Sequence, residues 1–264
     1  MPPRPEDDSR SARSNANAEE PHRQLGRGEQ FLSTRWSLVL RAGDLEDPEG
    51  ADLALGQLCS TYWYPLYAFV RRSGHSEEDA KDLTQGFFEH IISRSSVSAA
   101  DPDRGRFRSF LLQSIKNFIH SEWRKQNAAK RGGGTSRFSL DAEDAERRYR
   151  FEPEDPEISP DQLFDQRWAR ATLEQVFATM RDEFRRSGKE ERFDVLKGHL
   201  LTDPASGEYE ASGAALNLSP SALRTQIYRM RGRFVHLLRE QIEHTVADPS
   251  QADEELSHLL AALA

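Results

Sequence analysis

The chain has 264 residues, with 36 Lys+Arg against 44 Asp+Glu and a formal net charge of −8. Only 36% of residues are hydrophobic and 30% are charged, which is too polar for one compact globule and points to polar tails or a linker between small modules. No apolar run is long enough for a membrane span and no charged-then-apolar leader opens the sequence, so a membrane protein or a secreted one is not expected and the location reads as cytoplasmic.

Residues 1–30 are rich in Pro, Arg, Ser, Asn and Glu and read as a disordered tail. Order is expected from Ser33 or Thr34, either of which can cap a helix carrying Trp36, Leu38, Val39 and Leu40. A second helix is expected over about 51–72, kinked or locally broken at Pro65 and ended by Gly74. It contains the single cysteine, Cys59, whose apolar and aromatic neighbours predict a buried structural thiol. Ser76 followed by Asp79 opens the next helix, SEEDAKDLTQGFFEHII. A turn at 101–105 leads to RFRSFLLQSIKNFIHSEWRKQ, periodic through Phe107, Phe110, Leu111, Ser114, Ile115 and Phe118.

From Gln126 the pattern dissolves into a glycine-rich basic stretch and then an acidic, proline-bearing linker. Helical period resumes at Leu163 through Phe164, Trp168, Leu173, Val176, Phe177 and Met180; Phe193, Leu196, Leu200 and Leu201 mark the next helix. YEASGAALNLSPSALRTQIYRMRGRF then reads as a helix, a tight turn at Leu216-Asn217-Leu218 and a second helix capped by Ser219 with Pro220 at its first position. The second helix buries Leu223, Ile227, Met230 and Phe234 and continues to about Ile242. A short amphipathic helix follows the proline break near Asp248. The expected fold is all-α: a tail at 1–30, a helical domain at 31–127, an acidic flexible linker at 128–162, a helix-turn-helix domain at 163–246 and a C-terminal helix within 247–264.

Net charge alone argues against a nucleic-acid partner, but its distribution does not. Between residues 101 and 137 nine bases stand against three acids, and 219–239 holds five arginines with no acid. The acids pool in 141–165. Two basic patches separated by an acidic segment form the electrostatic footprint of a nucleic-acid binder.

The face opposite the buried stripe of the 220–242 helix carries Ser221, Thr225, Tyr228 and Gly232, flanked by Arg224 and Arg229. A helix of this kind suits a DNA major groove, side chains reading base edges while arginines hold phosphates; an ordinary amphipathic pair with solvated arginines shows the same pattern. The 107–125 helix interleaves aromatics (Phe107, Phe110, Phe118, Trp123) with Arg106, Arg108, Lys116, Arg124 and Lys125 and an amide, Asn117. Such interleaving suits single-stranded DNA, although periodicity assigns Phe110 and Phe118 to the core. Asp79 and Asp82 sit near a helix N-terminus, where acids are favourable without any chemistry. The eight histidines are scattered without ligand spacing, and RGGG at 131–134 lacks the strand and Gly-Lys-Ser/Thr ending of a phosphate loop. No catalytic residue, metal, cofactor or small-molecule substrate is expected.

These parts in this order resemble a bacterial RNA polymerase sigma factor of the extracytoplasmic-function (ECF) type. The DA-x-DL-x-Q-x-x-F signature of that family is met by Asp79, Ala80, Asp82, Leu83, Gln85 and Phe88. F-R-x-[WF]-L…N is met by Phe107, Arg108, Phe110, Leu111 and Asn117, and residues 209–234 resemble the second-domain helix-turn-helix. RGGGTSRFSLDAE and the EPEDPE…LFDQRWA segment are similar to a planctomycete-type subgroup. Ser212 departs from a usual isoleucine and weakens packing in expectation; Pro220 replaces a polar residue; Asn217 replaces the turn glycine, which a residue tolerant of positive φ can do.

The resemblance implies that Asp79, Asp82, Leu83, Gln85 and Phe88 bind core RNA polymerase. Arg106, Phe107, Arg108, Asn117, Trp123, Arg124 and Lys125 would engage the minus-ten element of promoter DNA and help open it. Ser219, Ser221, Arg224, Thr225, Tyr228, Arg229 and Arg231 would read the minus-thirty-five duplex. The acidic linker would thread the polymerase channel later used by RNA, and an anti-sigma regulator becomes a candidate partner. Two other classes remain: a stand-alone helix-turn-helix regulator that dimerises on palindromic sites, and an enzyme acting on nucleic acid, for which no constellation is present.

Overall fold

The computed structural model describes residues 42, 44, 46–93, 106–128, 142–151, 155, 157–202, 206–246 and 248–263. The tail at 1–30, the helix expected from Ser33 or Thr34, the turn at 101–105 and the RGGG stretch lie outside them. Among the described residues every regular element is helical.

Helix α1, Pro48–Arg72, starts three residues earlier than its periodicity implies. Asp47 accepts from the Gly50 amide at 3.0 Å and Pro48 takes a first-turn position, a cap-plus-proline start that costs no backbone donor. The helix runs through Pro65 without ending there. Proline removes one backbone bond, and the burial of Leu58, Tyr62, Leu66, Tyr67, Phe69 and Val70 on the same helix offsets that loss. Gly74, at φ +95°, takes the left-handed position just past the C-cap that a side chain would strain.

Helix α2, Glu77–Ser93, opens as expected, with Ser76 Oγ accepting from the Asp79 amide at 3.1 Å. Helix α3, Phe107–Ala128, completes the first group. Aromatic contacts join the three: Trp63 to Phe88 at 5.6 Å, Phe87 to Phe118 at 5.9 Å and Tyr62 to Phe107 at 5.3 Å between ring centroids. Cys59 is buried, and burial pushes its thiol up to about 12, so it stays protonated and packs as a small apolar group.

Part of the linker expected at 128–162 is helical. Helix α4, Ala142–Phe151, docks on α1. Arg72 then ties the end of α1 to the chain ahead, donating to the carbonyls of Ile158 at 3.0 Å and Asp155 at 2.7 Å. Helix α5, Pro160–Arg186, begins at a capping box in which Ser159 and Gln162 satisfy each other's backbone amides. Its buried Phe164, Trp168, Ala169, Val176 and Met180 face inward, and α5 lies along α1. Gln175 on α5 donates to Ser60 Oγ at 2.9 Å and to Thr61 Oγ1. The two groups of helices expected as separate bodies therefore share one continuous apolar core.

Helix α6, Glu190–Leu196, is followed by a 3-10 turn, Lys197–His199, then α7, Ser206–Ala215, and α8, Pro220–Glu243. Phe184 meets Phe193 at 5.8 Å and Phe177 meets Phe234 at 5.4 Å, fixing α6 and α8 on α5. Between α7 and α8, Asn217 adopts φ 51°, the positive angle expected of it. Ser212 is buried, yet its hydroxyl lies 2.7 Å from His199 Nε2, so the polar substitution carries its own partner. A 3-10 turn, Pro249–Gln251, leads to the last helix, α9, Ala252–Leu263, which packs on α5 and α8 through Ala252 and Leu259.

Candidate nucleic-acid interface

Burial of Leu223, Ile227, Met230 and Phe234 turns the other face of α8 outward. Ser219 caps the helix, its Oγ accepting from the Ala222 amide at 3.3 Å and lying 3.2 Å from Ser221 Oγ. Ser221, Arg224, Thr225, Tyr228 and Arg229 are exposed, Tyr228 to 80%. Ser221, Ala222, Thr225, Gln226 and Arg229 line a shallow groove at the start of this face. Arg231 behaves differently: it donates to the carbonyls of His199 at 2.9 Å and Thr202 at 3.1 Å, tying the turn after α6 to the base of α8. Gln226, which the charge pattern did not single out, belongs to the groove.

On α3 the sequence-derived residues divide into two groups. Asn117, Trp123, Arg124 and Lys125 are exposed, Trp123 to 64%, and Asn117, Trp123 and Arg124 line an open groove with His120. Residues 117, 120 and 124 follow three- and four-residue spacing, so they share one side of the helix. An amide, an imidazole, an exposed indole and a guanidinium can stack on bases and pair with phosphates. His120 is the member that residue pattern missed, being counted neither with the lysines and arginines nor with the aromatics.

The start of α3 faces inward. Phe107 is 0% exposed, wedged edge-on against Tyr62, and its amide donates to the Thr245 carbonyl at 2.9 Å. Arg108 is 4% exposed and binds Glu255 with both Nε (2.7 Å) and Nη2 (3.2 Å), while Nη1 takes Asp165 at 2.7 Å. Its guanidinium also lies 5.1 Å from the Trp168 ring. Arg106 pairs with Glu254 and, at 3.1 Å, with Glu255. Two of the expected strand contacts, Phe107 and Arg108, are thus core and buried ion pair in this structure, because a Phe on the apolar stripe follows its neighbours inward and both α5 and the C-terminal helix bring a carboxylate to the arginine.

Of the expected polymerase contacts on α2, Asp79 and Asp82 are exposed and Leu83 is half-buried. Gln85 and Phe88 are buried, Phe88 against Trp63. The outward face of α2 is therefore acidic, and the aromatic half of the signature holds the helix down.

Beside it stands α4. Glu146 is buried and accepts from Tyr67 Oη, from Arg71 Nε at 3.0 Å and Nη2 at 3.1 Å, and from Arg150 Nε at 2.8 Å. Arg150 reaches Glu77 at the head of α2 at 2.7 Å, and Arg148 lies 4.9 Å from the Tyr64 ring. Burial pulls the Glu146 carboxyl upward, but the bonds from Arg71, Tyr67 and Arg150 outweigh it and hold the group below the usual range. A depressed folded pKa contributes stability that is present above the unfolded value and lost as pH falls through the folded one. Acidification below the ordinary glutamate range is therefore expected to release α4 from α1, raising amide exchange over 142–151. Glu146→Gln should show that raised exchange already at neutral pH, and equal protection in both proteins at both pH values would refute the assignment.

Three outward faces stand out among the described residues, all on helices: the groove on α3, the acidic face of α2 and the serine- and arginine-lined face of α8. Residues 60–129 match the Sigma-70 region 2 family. That stretch takes in the second half of α1, α2 and α3, and over it the chain is similar to sigma-70 factors. No curated protein and no solved structure matches the chain. Among the described residues no helix is long and apolar enough to cross a membrane.

Proposed function

We propose that the chain is a cytoplasmic sigma factor of the ECF type, similar to the planctomycete subgroup, with a region 2-like part at 31–127, a connecting segment at 128–162 and a region 4-like helix-turn-helix part at 163–246. The exposed acids of α2, Asp79 and Asp82, dock on core polymerase. The α3 groove of Asn117, His120, Trp123 and Arg124, with Lys125 beside it, takes the single strand of the minus-ten element, its stacking surface offsetting an unstacking cost of a few kcal/mol. The α8 face reads the minus-thirty-five duplex with Ser221, Arg224, Thr225, Tyr228 and Arg229. Ser219 and Arg231 position that helix, one as its cap and the other as a brace to the preceding turn.

One observation carries this reading: the Sigma-70 region 2 match coexists with a second outward helix face, far away in sequence, that presents Arg224, Arg229 and Tyr228 and no acid. The test is transcription from genomic fragments by purified core polymerase with and without the chain. Arg224→Ala is expected to cost about 1–3 kcal/mol of discrimination at the upstream element, from about fivefold to over a hundredfold, while polymerase association is unchanged. Loss of association together with selectivity would count against the division of surfaces. A symmetric footprint by a dimer without polymerase would replace it with a stand-alone regulator.

A further inference from the structure

We propose that Gln226 is a specificity residue of the α8 groove, oriented by Arg192 so that it prefers a keto base, guanine before thymine, and disfavours adenine. This deepens, and rests on, the reading of α8 as the helix that enters the upstream duplex. Gln226 stands in the second turn of α8, in the N-terminal part of such a helix that meets base edges. It lines the groove together with Ser221, Ala222, Thr225 and Arg229. Thr225 spends its hydroxyl hydrogen on the Ser221 carbonyl at 3.0 Å, so the neutral donor best placed for a base is the Gln226 amide. Ala222, one turn earlier, contributes only a methyl and leaves room beside it.

The amide is oriented from outside its own helix. Arg192 Nη1, on α6, donates to Gln226 Oε1 at 3.3 Å. A guanidinium has no acceptor, so the amide atom that faces it is the oxygen, and the nitrogen is turned the other way. Helix α6 is itself held, with Phe193 and Leu196 buried and Phe193 against Phe184. A free glutamine grips adenine by facing oxygen and nitrogen to N6 and N7 together. Arg192 draws the oxygen aside, and what remains for a base is a pair of N–H donors. Adenine then meets donor with donor at N6, as cytosine does at N4, whereas guanine sets two acceptors, O6 and N7, next to each other. Thymine offers O4 alone and comes second. The Arg192 charge acts in the same sense, since a cation on the amide oxygen polarises the N–H bonds and makes them stronger donors.

The test is selection from a duplex library with a randomised upstream segment, run on the full-length chain with and without core polymerase. In the wild type, one base pair is expected to favour a keto base over adenine by about tenfold. Gln226→Ala should flatten that pair alone, which separates it from any pair read by Arg229. Arg192→Met keeps the stem and removes the donors, so the same pair should move to adenine, and Arg192→Lys should return it to the keto base. A merely structural role for Arg192 would weaken binding at every position and switch none. Gln226→Glu offers acceptors only and should move the pair to cytosine; it decides alone if Arg192→Met does not fold. Adenine favoured in the wild type, no pair responding to Gln226→Ala, or a folded Arg192→Met that keeps the wild-type base would overturn the assignment while leaving duplex reading by α8 in place. A preference that follows Gln226 and Arg192 without any need for polymerase keeps the assignment and removes the sigma reading. No sequence enriched under either condition removes both.

Discussion

Phe107→Ala is expected to lower the stability of the chain by about 3–5 kcal/mol, the cost of emptying a fully buried aromatic site. Phe107 fills the junction of α3 with α1, edge-on to Tyr62, and stacks along Phe110 at 6.3 Å between centroids. At this chain length that corresponds to a fall in Tm on the order of 10 °C. Trp123→Ala provides the contrast on the same helix. It removes an exposed ring, so stability should stay within about 0.5 kcal/mol, while single-stranded DNA affinity falls by roughly the 1–3 kcal/mol of one stacked base. Thermal unfolding and oligonucleotide titration of the two variants separate the roles. If Phe107→Ala kept its Tm and lost DNA binding, the ring would have to leave the core in solution.

Arg108→Ala carries the second large effect, roughly 3 kcal/mol, at the low end for breaking a buried ion pair because Arg106 still reaches Glu255. The loss comes less from the attraction given up than from the carboxylate left in an apolar surround. Urea unfolding should therefore show the variant Arg108→Ala/Glu255→Gln recovering much of the deficit, since neither charge then remains unpaired. A single variant within about 0.5 kcal/mol of wild type would mean the pair is not formed in solution. Arg108→Lys should not restore full stability, since one ammonium cannot satisfy Glu255 at two points and Asp165 together.

Period and caps made the helices readable. The stripe of Leu223, Ile227, Met230 and Phe234 placed α8 and its outward face, Ser219 and Pro220 marked its start, and Asn217 announced the left-handed turn before it. Ser159 with Gln162 carried an equally clear start for α5, and Asp47 with Pro48 for α1, although apolar period alone put both starts a few residues late. Helix α4 was harder: AEDAERRYRF has no apolar stripe, and only the facing Tyr67 and Arg71 show what Glu146 is for.

Which residues form helices, where those helices begin and which faces turn from water follow from local chemistry, since each depends on neighbours within about four positions. The sequence by itself thus determined an all-helical chain with two basic surfaces and an acidic stretch between them. What became of individual charges and rings was decided elsewhere. Arg108 looks like a phosphate contact until Glu255, at the far end of the chain, closes on it, and Phe107 looks like a base-stacking ring until Tyr62 takes its edge. Burial is a property of what arrives from a distance, so only the tertiary structure could tell the arginines and aromatics that stay exposed from those that hold the protein together.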